Sequence, residues 1–256
     1  MPTGDLETTE ARAAAAGGAE KREYVRRIFS EIAPRYDLLN HLLSFNIDRR
    51  WRRRAIAVLE PARRPGGVFI DLCAGTLDVS AELSRTPGFR GLVLGTDFAE
   101  PMLRAGADKS PRVLVAPVTA DALALPVADG TVAGAIVAFG IRNVASLADA
   151  LDEMYRALEP GGRFVILEFS TPRAAIVRGA YHAYFHTVLP AVGRLVSGHR
   201  TAYRYLPESV ARFPVQEELA RAMRTAGFIN VRWESLTLGV AAIHSGDKPI
   251  ESSEHA

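Results

Sequence analysis

The sequence predicts an α/β protein built on a doubly wound, mostly parallel seven-stranded sheet, and three features carry that prediction. Short apolar runs alternate with amphipathic helical stretches from Val68 to Phe169. One of them, Thr131–Phe139, is apolar almost throughout, as befits a strand buried on both faces. The first run closes directly on Ala74-Gly75-Thr76, the tight strand-to-helix turn that such a sheet requires.

The elements follow in order. Tyr24, Ile28 and Ile32 share one helical face, and Pro34 ends that helix. Leu38, Leu39, Leu42 and Leu43 mark a second helical stretch. A third runs from near Ile47 to just before Pro61, with Asp48 placed to meet the positive end of its dipole. The alternation then begins with strand Val68–Cys73, helix Val79–Ser84 and strand Leu92–Gly95 running into Thr96 and Asp97. A helix through Met102 and Leu103 leads to strand Val113–Val118. After Thr131–Phe139 comes an amphipathic helix on Leu147, Leu151, Met154, Tyr155 and Leu158, broken by Pro160-Gly161-Gly162 before strand Phe164–Phe169. Ala174 to Val196 reads as a long, aromatic-rich helical insertion containing Pro190. Helix Gln216–Thr225 and the strand-like runs Val231–Leu238 and Val240–His244 close the pattern, and nothing repeats at a solenoid period.

Composition narrows the class. The 256 residues suffice for one large domain, and 48% apolar with 23% charged residues is ordinary for a soluble globular protein. A single cysteine, Cys73, excludes an internal disulfide and a cysteine metal cluster and fits a reducing cytosol. No run reaches the roughly 18 apolar residues of a spanning helix. The first residues, acidic and then alanine-rich, are not a secretory signal. Net charge is only +2, yet Arg49, Arg50, Arg52, Arg53 and Arg54 crowd around Trp51. Such a run is a solvated helix face or a contact for anionic lipid headgroups, and the near-neutral total disfavours nucleic acid.

The residues that carry chemistry sit at strand ends. Asp71-Leu72-Cys73-Ala74-Gly75-Thr76-Leu77-Asp78 lets the backbone approach a ligand at Gly75 and opens a helix with free N–H groups. The second and third glycines of the dinucleotide fingerprint are absent, which argues against a pyrophosphate and so against a nicotinamide dehydrogenase. Asp97 lies 22 residues beyond Gly75, where a carboxylate accepts ribose hydroxyls; a cap on the next helix is the plainer alternative. Asp121 can accept the adenine amino group, and the N–H of Ala122 can meet a ring nitrogen. Glycine turn, ribose acid and adenine acid, in that order, suggest an adenosine without a diphosphate. S-adenosylmethionine fits, with Asp71, Gly75, Thr76, Asp97, Asp121 and Ala122 as its binding set.

The sequence resembles the ubiquinone/menaquinone biosynthesis C-methyltransferase family of class I methyltransferases over residues 22 to 248. The segments that carry the likeness are Tyr36–Asn40, Leu43–Ile47 and Trp51-Arg52, then Asp71, Gly75, Thr76 and Asp78, then Phe139-Gly140-Ile141-Arg142-Asn143-Val144. Leu158–Arg163, Leu167–Ser170, Tyr203–Ser209, Ala226-Gly227-Phe228, Thr237, Gly239 and His244 continue it. Leu158–Gly162 is generic to class I methyltransferases, whereas Phe139–Val144, Tyr36–Asn40 and Tyr203–Ser209 are specific to quinone methylation. Leu77 stands where the family has glycine, and Ala133 where it has an acid.

The resemblance implies methyl transfer from S-adenosylmethionine to a ring carbon of a prenylated quinol, demethylmenaquinol before the benzoquinol precursor of ubiquinone. Ring carbon becomes nucleophilic once a neighbouring hydroxyl loses its proton. Arg142 and Asn143 are the expected catalytic residues, Arg142 for the phenolate or a proton-accepting water and Asn143 for the ring oxygen. A structural ion pair for Arg142 and a helix cap for Asn143 are the plainer readings. Tyr36 and Asp37 either close over the cofactor or, for Asp37, cap a helix. His182 and His186 stand four apart on a helix but read as the wall of an apolar quinone pocket; no metal is expected, and a general-base role for either stays open because imidazole titrates near neutrality. The domain plan is a disordered tail over 1–20, one methyltransferase domain over 21–248, and a tail over 249–256. Within the domain, 21–60 is a helical cap and 172–212 a substrate-side insertion. A cytoplasmic enzyme is expected, with peripheral contact at the inner face of the membrane to reach its lipid substrate; a homodimer stays open. A methyltransferase acting on RNA or a soluble metabolite, and a non-catalytic scaffold subunit with Leu77 as its support, are the alternatives.

Overall fold

A computed structural model describes residues 18–33, 46–172, 174–183 and 200–250. Seven strands form one sheet: β1 (Val68–Leu72), β2 (Leu92–Asp97), β3 (Val115–Thr119), β4 (Val132–Ala138), β5 (Leu158–Phe169), β6 (Ile229–Leu236) and β7 (Ala241–Asp247). Their order is β3-β2-β1-β4-β5-β7-β6. All pairs are parallel except those that β7 makes with β5 and β6. The chain steps outward from β1 to β3 and then crosses to β4 on the other side. That leaves a crevice beyond the carboxyl ends of β1 and β4, where open α/β sheets bind ligands.

The helices are α1 (Gly18–Ile32), α2 (Ile47–Leu59), α3 (Asp78–Ser84), α4 (Glu100–Gly106), α5 (Leu147–Ala157), α6 (Ala175–Ala183), α7 (Arg200–Arg212) and α8 (Gln216–Thr225). Period-two alternation splits the core across the sheet. Phe69, Ile136, Val165 and Leu167 face one layer with Trp51, Ala55 and Leu59 of α2 and Leu83 of α3. Ile70, Leu72, Val137, Phe164 and Ile166 face the other, with Leu151 and Met154 of α5 and Leu219 and Met223 of α8.

The structure corrects several expectations. Helix α1 begins at Gly18, inside the stretch expected as tail. Pro160-Gly161-Gly162 does not separate helix from strand: α5 ends at Ala157, β5 starts at Leu158, and the pairing with β4 shifts register around the insertion. Gly161 supplies a φ of 76° for that bulge. Helix α7, unforeseen, carries the Tyr203–Ser209 segment with Pro207 inside it. Asp48 does lie in the first turn of α2, as expected, and is buried there against Arg52 at 3.4 Å. The expectations on Tyr36, Asp37, the Leu38–Leu43 helix, His186 and Pro190 lie outside the described residues.

His244 on β7 stacks on Trp233 of β6, with ring centroids 6.1 Å apart, and its Nε2 lies 3.0 Å from the Gln216 carbonyl. Burial pushes this imidazole down to about 4. The folded chain therefore holds His244 neutral where the unfolded chain is protonated. Its contribution is present in full above the ordinary histidine value and is lost as pH falls through the folded one. Linkage puts this at about 3 kcal/mol. Denaturant titrations of wild type and His244→Gln at neutral pH and near pH 4 should show the steeper acid loss in wild type; parallel losses would contradict it.

Candidate active site

Every strand end on the carboxyl edge from β1 to β4 contributes to one cleft, about 700 Å³ counted to its open mouth. Leu72, Cys73 and Gly75 come from β1 and its turn, and Asp97 and Phe98 from the end of β2. Asp121 and Ala122 follow β3, and Phe139, Gly140 and Asn143 follow β4. Arg22, Val25 and Phe29 of α1 cover it.

The glycine turn is held from behind. Gly75 takes a φ of 53°, open to glycine at little cost, which brings its backbone to the cleft wall. Asp71, buried under the turn, accepts the Ser80 N–H at 2.8 Å and the Ser80 hydroxyl at 2.7 Å on one oxygen. Burial raises its carboxyl to about 7, against the pull of those bonds. Thr76 is also buried, and a Cβ on Gly106 of α4 would fall 2.1 Å from its carbonyl oxygen. Asp71 and Thr76 thus shape the turn and do not line the cleft. Asp78 opens α3 and bonds Arg52 and Lys109, each at 2.5 Å, which fastens the turn to α2.

The two acids differ. Asp97 spreads its carboxylate over the Gly75 N–H at 2.9 Å and the Ala99 N–H at 2.8 Å, tying the β1 and β2 loops together. It is not the N-cap of α4, a position held by Ala99. Each carboxylate oxygen keeps a further lone-pair direction for a hydroxyl. Burial raises the Asp97 pKa, and the backbone N–H bonds oppose that rise. Asp121 accepts the Leu123 N–H at 3.1 Å and pairs with Arg22 of α1 at 3.0 Å. Burial, with nearby carboxylates, pushes the Cys73 thiol well up, so Cys73 is wall rather than nucleophile.

Arg142 and Asn143 share a 3-10 turn, Ile141–Asn143, after β4, but face different spaces. Asn143 lines the cleft and keeps a buried Oδ1 without a hydrogen-bond partner. It does not cap α5, whose N-cap is Ser146. Arg142 lines a second cavity, about 640 Å³ counted in the same way, with Lys21, Tyr205 and Ser209. Its guanidinium bonds Glu168 of β5 at 2.7 Å and the Phe139 carbonyl at 2.5 Å and lies 5.5 Å from the Phe169 ring centroid, leaving Nε buried without a partner. The ion pair weighed as the plainer reading is therefore present, with a donor to spare. Burial raises the Glu168 carboxyl and Arg142 opposes it. Tyr205, pushed up to about 12 by burial, keeps its hydroxyl protonated there. Lys21 donates to the Arg142 carbonyl at 2.8 Å, so α1 is clasped to this turn as well as to Asp121.

An aromatic wall separates cleft from core: Phe139 lies 4.6 Å from Phe169 and 6.0 Å from Trp51, centroid to centroid. Leu77 is absent from the cleft. Its φ of 63° turns the side chain into the core, where a Cβ on Gly95 of β2 would meet Leu77 Cδ2 at 2.3 Å. Leu77→Gly is expected to cost about 2 kcal/mol of stability, a buried leucine less the relief of its left-handed backbone, with cofactor affinity unchanged. Thermal unfolding and calorimetry check both; tighter cofactor binding would show that Leu77 crowds the site. Glu168, Arg22 and Lys21 are the polar partners that motif reading missed. A carboxylate inside the apolar run Phe164–Phe169 was the available signal for the first.

A demethylmenaquinone methyltransferase of Thermus thermophilus is 51% identical over 226 residues, covering 87% of this chain and all (100%) of that protein. A ubiquinone/menaquinone biosynthesis C-methyltransferase UbiE of Geobacter sulfurreducens is 44% identical over 236 residues, covering 91% of each. Among solved structures, a SAM-dependent methyltransferase of Thermotoga maritima matches with a TM-score of 0.60 at 21% identity, covering 87% of this chain and 98% of that one. The [4+2]-cyclase SpnF matches with a TM-score of 0.64 at 17% identity, covering 88% and 96%, so the fold alone leaves the reaction open. The model of the ubiE/COQ5 methyltransferase family matches residues 18–248, and the chain belongs to that family.

Proposed function

We propose that this protein transfers a methyl group from S-adenosylmethionine to a ring carbon of a prenylated quinol, demethylmenaquinol foremost, working at a membrane surface. The observation that carries the reading is the convergence of Gly75, Asp97 and Asp121 on one cleft that ends at Asn143. The donor set fits the cofactor. Asp97 is held by backbone N–H groups with lone pairs left for a ribose diol, Asp121 and Ala122 suit the adenine edge, and no side chain from the turn intrudes. When bound, S-adenosylmethionine supplies an electrophilic methyl group on a sulfonium.

The chain's own residues handle the acceptor. Asn143 Oδ1, buried and unpartnered, accepts a hydrogen bond from a quinol hydroxyl and so fixes the ring. Arg142 opens on the adjoining cavity rather than the cleft, so its spare Nε acts through a water that takes the quinol proton, while Glu168 fixes the guanidinium plane. Phe139, Phe169 and Trp51 exclude water, which strengthens each of these interactions. Alignment of donor and acceptor contributes several kcal/mol more. Demethylmenaquinol is preferred because the 51% relative carries that name. Labelled methyl transfer to reduced demethylmenaquinone and to the demethylated benzoquinol, side by side in detergent, tests it. Label chiefly in the naphthoquinol is expected; label chiefly in the benzoquinol, or in neither, would overturn the choice.

A further inference from the structure

The turn between β6 and β7 is unusual in conformation and in what it exposes. Thr237, Leu238 and Gly239 have consecutive φ values of 45°, 58° and 93°. Asparagine or glycine suits such backbone, and leucine does not. Leu238 nevertheless stands there, 77% exposed at the carboxyl edge of the sheet. A leucine held out to solvent on costly backbone points to a ligand that covers it.

Helix α2 is bolted to this turn. Trp51 Nε1 donates to the Thr237 hydroxyl at 3.0 Å, and Arg54 makes a two-pronged contact with Glu234 of β6, at 2.7 and 3.1 Å. Ile47, Arg50 and Arg54 fall on one stripe of α2, three and four residues apart. The Arg54–Glu234 contact therefore places Ile47 and Arg50 on the flank of α2 toward β6, a turn or two nearer the carboxyl edge. Ile47 is 37% exposed. Arg49 and Arg50 are exposed and have no ion-pair partner among the described residues. On the other flank, Arg49, Arg52, Arg53, Arg85 and Lys109 line a groove whose acids are only Asp78 and Glu82. One rigid platform thus presents an apolar tip ringed by arginines in excess of the acids beside them, on the edge where the active-site cleft opens.

We propose that the Thr237–Gly239 turn and the first turns of α2 form a docking surface for an anionic lipid bilayer. Leu238 and Ile47 enter the acyl boundary, and Arg49, Arg50 and Arg53 meet the headgroups. The inference rests on the proposed lipid substrate only for its purpose, because charge and exposed apolar side chains select the partner by themselves. Docking here holds the cleft against the layer that contains a polyprenyl quinol.

The test is sedimentation of the full chain with vesicles of phosphatidylcholine, alone or mixed with phosphatidylglycerol, with Leu238→Asn and the pair Arg49→Gln with Arg50→Gln. Asparagine tolerates the left-handed backbone, so the fold is kept. Wild type should bind the anionic vesicles, more weakly as salt rises. Leu238→Asn should bind about tenfold more weakly, and the arginine pair about 20-fold more weakly. Turnover on a quinol with a short, water-soluble side chain should stay at wild-type level in both. Wild type that ignores anionic vesicles, or variants that bind as wild type does, would overturn the docking surface. So would a concentration-dependent dimer that Leu238→Asn abolishes, which would assign the turn to a second copy of this chain. Vesicle binding that responds to the variants without methylation of any quinol would uphold the surface and sink the substrate reading.

Discussion

Replacing Asp97 by alanine is expected to weaken S-adenosylmethionine binding by about 100-fold, roughly 3 kcal/mol, the worth of the charge-assisted hydrogen bonds lost with one carboxylate. The loss has two sources. The ribose diol forfeits its acceptor, and the Gly75 and Ala99 N–H groups, now bonded to Asp97 at 2.9 and 2.8 Å, are released together with the turn they fix. Asp97→Asn separates them, since an amide oxygen can still take one N–H while the charge is gone. It should lose about tenfold. Calorimetric affinities of the two variants decide; an Asp97→Ala protein that binds within a factor of about three of wild type would leave Asp97 as a loop clamp only.

Arg142→Ala should lower turnover by about a thousandfold, the scale at which a preorganised donor to a developing oxyanion acts. It should also destabilise the fold by about 3–5 kcal/mol, because Glu168 is left charged, buried and unpaired. That second effect would by itself depress activity through loss of folded protein. The double variant Arg142→Ala with Glu168→Gln removes the stranded charge. Its side-chain amide oxygen can still accept the Phe169 N–H, a bond Glu168 makes at 2.8 Å. Stability should recover in large part and turnover should not. Near wild-type turnover in that double variant would reduce Arg142 to a structural ion pair.

What the sequence made legible follows from how local each signal is. Strands β1 to β5 could be read because apolar runs and their glycine punctuation are local, and Gly75, Asp97 and Asp121 because strand ends fix where loops go. The β5 bulge could not, since Pro160-Gly161-Gly162 breaks a helix equally well. Helix α7 was hidden by Pro207, which lacks a backbone donor yet is carried inside a helix that buries Tyr205 against Tyr24 of α1, ring centroids 5.8 Å apart. The partners Arg142–Glu168 and Arg22–Asp121 join residues far apart in the chain, and no spacing rule reports them. The direction of Leu77 depended on the room left above Gly95, which is a property of two neighbouring strand ends rather than of either segment. No helix among the described residues is long and apolar enough to cross a membrane.

The most direct single measurement is transfer from methyl-labelled S-adenosylmethionine to a demethylated prenyl quinone offered in its reduced and in its oxidised form. Label on a ring carbon of the reduced form alone is the expected result, because only a quinol has the hydroxyl whose deprotonation makes a ring carbon nucleophilic. Label on oxygen, equal label in the oxidised form, or none in either while the cofactor binds, would contradict the proposed reaction.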